Sequence, residues 1–260
     1  MIIDYHLHSR HSFDSDADPQ QSIERAAKLG VSEICFTEHV DFEDTRNPLM
    51  DIGAYISDIK RFMPSYNGVR VKLGFEIGLD DGECSRRTWD FIKDAGADFI
   101  IGSVHMVDGV NAYYNDFFAG QSQAEAYGKY IDALCDKAKS CAYFSVLGHY
   151  DFVTKYAPYK NRALNYGDYA ERIDRLLKIL VESGKSLEIN TSSWRDGPAW
   201  GIELFRRYRE LGGEFVTVGA DSHSPKRVGK RLNEALTMAM EAGIKYIATF
   251  DRLSPVMHRV

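Results

Sequence analysis

Residues 20–39 read QQSIERAAKLGVSEICFTEH, and this stretch holds one complete unit of the fold. Its first half follows Asp18-Pro19, spaces Ile23, Ala26 and Ala27 along one helical face, and stops at Gly30. Proline suits a helix start because the first turn has no use for its missing N–H, and glycine readily takes the left-handed exit. The second half, EICFTEH, is a short and nearly continuous apolar run. Such a run suits a strand covered on both faces, as in a parallel sheet. Helix, glycine, buried strand and then a polar strand end make one αβ unit.

The unit recurs on both sides. Further strand-like runs are IIDYHLH, VKLGFEIG, DFIIGSVH, YFSVLGHYD, SLEINTS, EFVTVGADSH and KYIATF. Helical patterns lie between them: AYISDIKRFM, RRTWDFIKDAG, AEAYGKYIDALCDKA, YAERIDRLLKILVESG, GIELFRRYRELGG and NEALTMAMEAG. The order is βα repeated seven times with an eighth strand at the end. No Pro/Gly/Ser-rich linker or charge block divides the chain, so residues 1–260 read as a single α/β domain with a barrel-like parallel sheet. A doubly wound open sheet is the alternative. Its dinucleotide-binding form would need G-x-G-x-x-G at the first turn, which is absent.

Composition narrows the function. The net charge is −6 and the pI near 5.8. Binding along a nucleic-acid backbone wants a basic face, so no nucleic-acid partner is expected. A small anionic substrate stays open, because metals or a few local cations can bind one. No apolar run approaches the roughly 20 residues of a membrane span, and the N-terminus lacks the charged start and apolar stretch of a leader. A cytoplasmic protein is expected, with no membrane partner. The cysteines Cys35, Cys84, Cys135 and Cys141 form no C-x-x-C pair, as reduced, mostly buried thiols would.

The strand ends carry the chemistry. They hold His6 and His8, Glu38 and His39, Glu76, His105, His149 and Asp151, and Asp221 and His223; of eight histidines only His11 and His258 fall elsewhere. Residues two apart in a strand share a face, so His6 and His8 can both face a barrel mouth, as can Asp221 and His223. Side-by-side imidazoles repel if protonated, and a bound cation resolves this because neutral imidazole is a good ligand. A lone buried histidine is usually a hydrogen-bonded core residue. Core histidines, however, have no reason to gather at one end of successive strands, whereas a metal site there requires it.

The segments DYHLHS, FTEHVD, GFEIG, IGSVH, LGHYD and GADSH, in order from Asp4 to His223, resemble the PHP (polymerase and histidinol phosphatase) superfamily. The stretches HSRHSFDSDA, INTSSWR and ADSHSPKRVG are similar to its monofunctional histidinol-phosphatase branch. The resemblance implies a distorted (β/α)7 TIM-like barrel with three divalent metal ions, zinc, iron or manganese. His6, His8, Glu76 and Asp221 would hold the first ion. Glu76 would bridge to a second, with His105 and His149. Asp14, His39 and His223 would hold the third, with Asp16 a rival to Asp14.

The activity so implied is hydrolysis of L-histidinol phosphate in histidine biosynthesis, by in-line attack of a metal-bridging hydroxide on phosphorus. Asp221 and His223 are candidates to supply the proton to the leaving alcohol. Arg195, after the sixth strand, is the expected phosphate contact. Family members often carry an Arg three residues past the HxD motif; here that place is Thr154, and Lys155 is expected to serve instead. Asp41, Glu43 and Asp44 could meet the cationic end of such a substrate, or be a solvated loop. Asp151 and Glu38 could bond an imidazole from behind, and Arg227 could reach the mouth. The alternatives are a PHP phosphoesterase for another small phosphomonoester, such as a nucleotide or sugar phosphate, and an inactive metal-binding PHP protein. An amidohydrolase would instead want a metal-bridging lysine at a strand end. The oligomeric state stays undetermined.

Overall fold

The structure is a computed structural model that describes residues 1–80, 82–194 and 201–260. The chain opens with β1 (Ile3–Leu7), α1 (Pro19–Lys28), β2 (Glu33–Val40) and α2 (Ile52–Lys60). A two-residue β3 (Ser65–Tyr66) precedes β4 (Val69–Gly78), α3 (Gly82–Ile92) and β5 (Phe99–Ser103). A small hairpin of β6 (Met106–Val107) and β7 (Val110–Asn111) follows, then α4 (Gln123–Ser140), β8 (Val146–Leu147) and the one-turn α5 (Phe152–Lys155). The chain continues through α6 (Ala170–Glu182), β9 (Ser186–Asn190), α7 (Ile202–Glu210), β10 (Phe215–Gly219), α8 (Leu232–Glu241), β11 (Tyr246–Asp251) and β12 (Ser254–Arg259).

Local chemistry sets the helix starts. Asp18 caps α1 by accepting from the Gln21 N–H at 3.1 Å, and Asp51 caps α2 through Ala54 N–H at 3.0 Å. Ser122 and Glu125 form a reciprocal capping box on α4. The helices then lay apolar faces on the sheet: Ile23 and Ala26 from α1, Tyr55 and Ile59 from α2, Leu176, Leu177 and Leu180 from α6. Each such Leu or Ile, fully buried, contributes about 1.5–3 kcal/mol.

The strands run β1-β2-β4-β5-β8-β9-β10 as parallel neighbours. The ring closes where Leu7 bridges Ser222. His8 N–H donates to Ser222 O at 2.9 Å, and Ser222 N–H to His6 O at 3.3 Å. Seven strands therefore make the barrel. The eighth expected strand, β11, pairs with Phe215 and Val216 of β10 outside that closure, and β12 folds back on it antiparallel. The ring is distorted at β1, whose register against β2 shifts between Asp4 and Leu7, the stretch that carries His6. Because all ring strands are parallel, their carboxyl ends meet at one mouth. No helix among the described residues is long and apolar enough to cross a membrane.

Candidate active site

Glu76 sits near the end of β4, fully buried, with His39 of β2 directly across the ladder. Five imidazoles converge on its carboxylate. Glu76 Oε2 lies 3.1 Å from His6 Nε2, 3.3 Å from His8 Nε2 and 3.1 Å from His39 Nδ1. Glu76 Oε1 lies 2.7 Å from His149 Nε2 and 3.4 Å from His105 Nε2, and accepts from Ser103 Oγ at 2.6 Å. Asp221 faces the same group from β10's end: its Oδ1 is 3.7 Å from His6 Nε2, and 3.5 Å from both His8 Nε2 and His223 Nδ1. Asp14 reaches in from the loop after β1, with Oδ2 3.0 Å from His223 Nε2 and 3.6 Å from His39 Nε2.

The protein alone does not satisfy these atoms. His6 Nε2, His8 Nε2, His39 Nδ1, His149 Nδ1 and Glu76 Oε2 are buried without a hydrogen-bond partner. Each orphaned polar atom costs about 1–3 kcal/mol, and four of the five face one another around a single point. Burial opposes charging of His6, His39 and His105, yet neighbouring carboxylates outweigh it: Glu188 and Glu76 raise His6, Glu76 and Asp14 raise His39, and Asp41 lifts His105 to about 10. Burial and the neighbouring His39 and His223 push His8 the other way. A cluster that must protonate some imidazoles to stay neutral is one that divalent cations fit. Donor atoms within 4.8 Å of one another form such groups: His6, His8 and Glu76; Glu76, His105 and His149; and His8, His39 and His223.

The cluster floors an open cavity of about 730 Å³. Phe13, Tyr113, Tyr114, Tyr156 and Trp194 give its walls an aromatic character, and Lys155, Arg227 and Lys230 add positive charge.

A family model, the PHP domain, matches residues 4–192. A histidinol-phosphatase of Lactococcus lactis is 33% identical over 257 residues, covering 96% of this chain and 94% of that protein. The chain belongs to the PHP family, among the histidinol-phosphatases. A probable histidinol-phosphatase of Clostridium acetobutylicum is 30% identical over 97% of this chain and 98% of its own. The crystal structure of the Lactococcus lactis histidinol phosphate phosphatase, complexed with zinc, L-histidinol and phosphate, is 31% identical, with a TM-score of 0.93 over 98% of both chains. A Listeria monocytogenes putative histidinol phosphatase shares the fold at 18% identity, with a TM-score of 0.73 over 89% of this chain and 99% of its own.

This PHP barrel brings together His6, His8, Asp14, His39, Glu76, His105, His149, Asp221 and His223. Asp14 is the acid of its loop that meets the cluster; Asp16 is exposed. Lys155 lines the cavity with its Nζ 2.6 Å from Asp221 Oδ2. Arg195 lies outside the described residues. Thr154 is buried, with its hydroxyl unpartnered. His11 pairs with Asp58 at 3.1 Å, away from the cluster.

Asp151 bonds Ser193 Oγ at 2.6 Å rather than an imidazole. In the acidic loop after β2, Asp41 and Asp44 line the cavity while also holding protein partners. Asp41 lies 2.8 Å from His105 Nδ1 and 3.4 Å from His39 Nδ1, Glu43 pairs with Lys137, and Asp44 accepts from Arg46, Asn47 and Asn111. Glu188 was not visible as a site residue. It lies in β9, 2.7 Å from His6 Nδ1, and also accepts from His149 N–H and Asn190 Nδ2 at 3.0 Å each. A lone acid inside an apolar strand, SLEIN, was the available signal, as it was for Glu76 in GFEIG.

Proposed function

We propose that this chain, one domain over residues 1–260, hydrolyses L-histidinol phosphate to L-histidinol and inorganic phosphate. One observation carries the reading: the end-to-end likeness to the Lactococcus lactis enzyme whose structure holds zinc, L-histidinol and phosphate. The orphaned nitrogens around Glu76 support a metal requirement. His6, His8, Glu76 and Asp221 would hold one divalent ion, Glu76, His105 and His149 a second, and Asp14, His39 and His223 a third. Zinc, iron and manganese all suit these donors. Bound there, such ions would activate water by lowering its pKa and offset charge on the phosphoryl oxygens.

The chain's own groups divide the remaining work. Burial opposes ionisation of Asp221, but Lys155 and His6 outweigh it and hold the carboxyl well below the usual range. Asp221 therefore serves as a ligand and acceptor. Lys155 holds Asp221 in place and brings positive charge to the phosphate side; Arg195, outside the described residues, is proposed as a second phosphate contact. The aromatic wall suits the flat, amphipathic imidazole of the substrate.

A histidine auxotroph lacking its phosphatase tests the reading, and a cytoplasmic location goes with that biosynthetic role. The chain should restore growth, and its His8→Ala variant should not. Failure of the wild-type chain to rescue, with activity on another phosphomonoester such as AMP, would redirect the substrate assignment. Rescue by His8→Ala would count against the metal assignment.

A further inference from the structure

Glu38 is wholly buried at the residue before His39, and its carboxylate takes hydrogen bonds from two serines rather than from an imidazole. It gathers the loop after β1 instead. Ser9 N–H lies 3.0 Å from each oxygen, Ser9 Oγ donates to Oε1 at 2.7 Å, and Ser12 Oγ donates to Oε2 at 2.6 Å. A serine hydroxyl has one hydrogen to give, and Ser12 gives it to Glu38. Its lone pairs can then only accept. They face the His39 backbone N–H at 3.2 Å and His8 Nδ1 at 3.1 Å. The hydrogen of that second contact must come from His8, so Nδ1 is the protonated nitrogen. His8 Nε2 is left with a bare lone pair, without a hydrogen-bond partner, 3.3 Å from Glu76 Oε2.

We infer that Glu38 is a positioning residue for the metal centre, acting through Ser12 to fix which nitrogen of His8 is bare and where the His39 backbone sits. The inference rests on the reading of His8 and His39 as ligands. His6 and His105 each have a carboxylate directly against Nδ1, from Glu188 and Asp41. His8 receives the same influence by relay, with a hydroxyl in between. Glu38 also ties the loop that carries Asp14 to β2. Partners of this kind orient a ligand ring and fix its tautomer. Glu38→Gln keeps the shape but supplies amide hydrogens, which can donate to Ser12. Ser12 is then free to donate to His8 Nδ1, and the His8 proton moves to Nε2, where an ion must displace it in order to bind.

The test is zinc affinity of the full chain, by competition with a chromogenic chelator, with nitrogen NMR of histidine-labelled, zinc-loaded protein as a second readout. Glu38→Gln and Ser12→Ala should each weaken zinc binding, by about 10- to 100-fold. Ser12→Thr, which keeps a hydroxyl, should bind close to wild type. The double variant should bind no more weakly than the weaker single one, because the two residues act in series. In Glu38→Gln the His8 signal for a protonated Nδ1 should be lost. Zinc binding by Ser12→Ala as tight as wild type, or losses that add, overturns the inference while leaving the metal site standing. A wild-type chain that binds no zinc sinks both. If Ser12→Ala does not fold, Ser12→Thr and Glu38→Gln carry the test: the first must bind as wild type does and the second must not.

Discussion

His6 Nδ1 lies 2.7 Å from Glu188 Oε1, and this contact turns His6 Nε2 toward Glu76 and Asp221. Glu188 also holds the His149 backbone, so one carboxylate behind the barrel mouth orients two proposed ligands. Glu188→Gln places amide hydrogens against groups that already donate. Zinc affinity should fall about 10- to 100-fold, with the far-ultraviolet circular dichroism unchanged. A chelator-competition titration measures it, and an unchanged affinity would remove Glu188 from the account.

Gly219 of β10 permits that contact. A Cβ there would lie 2.3 Å from Glu188 Oε1 and 2.4 Å from His6 Cβ, closer than real atoms come. Gly219→Ala should therefore displace both side chains. Stability should drop by about 1–3 kcal/mol, the usual cost of overpacking, and metal content should fall with it. Urea denaturation and elemental analysis report the two effects.

Metal and protons compete for the same nitrogens. In the metal-free chain His105 is lifted to about 10 by Asp41, against the opposing effect of burial. A group raised above its unfolded value, 6.5 for histidine, adds stability that is complete below that pH and is lost as pH climbs through the folded value. His6 and His39 are raised in the same sense, while His8 is lowered. The metal-free protein should thus lose thermal stability between about pH 6.5 and 10. The zinc-loaded protein should not, and zinc binding should release protons. Melting temperatures across pH, with and without a chelator, test this; parallel curves would contradict it.

Lys155 and Asp221 form a mostly buried pair at 2.6 Å. Removing one partner of such a pair typically costs about 3–5 kcal/mol, because the other charge is left uncompensated. Lys155→Ala should approach the lower end of that loss and should reduce kcat/KM for a phosphomonoester. Steady-state kinetics beside thermal denaturation separates the two consequences. Full activity in a stable variant would mean that Lys155 neither orients Asp221 nor meets phosphate.

Much of this site was legible in the sequence, because parallel strands force their ends together. His6, His8, Glu76 and His149 could be placed at one mouth because they stand towards the ends of successive strands, with His6 and His8 two apart on one face. The contact of Asp41 with His105 was not legible, because just beyond a strand a side chain's direction is set by loop geometry; the loop brings Asp41 to 2.8 Å from His105 Nδ1 at the cavity wall. Strand β12 escaped notice because SPVMHR has a proline, little alternation and almost no burial. The hairpin of β6 and β7 is too short, at two residues a strand, to leave a periodic signal. The loop 106–118 it begins supplies Asn111, Tyr113 and Tyr114 to the cavity wall.

The decisive measurement is phosphate release by the purified, metal-loaded chain across L-histidinol phosphate, AMP and simple sugar phosphates. L-histidinol phosphate should give the highest kcat/KM, by at least about tenfold, equivalent to ~1.4 kcal/mol of transition-state discrimination, and a chelator should abolish turnover. An equal or higher kcat/KM for AMP, or turnover that survives complete metal removal, would contradict the account.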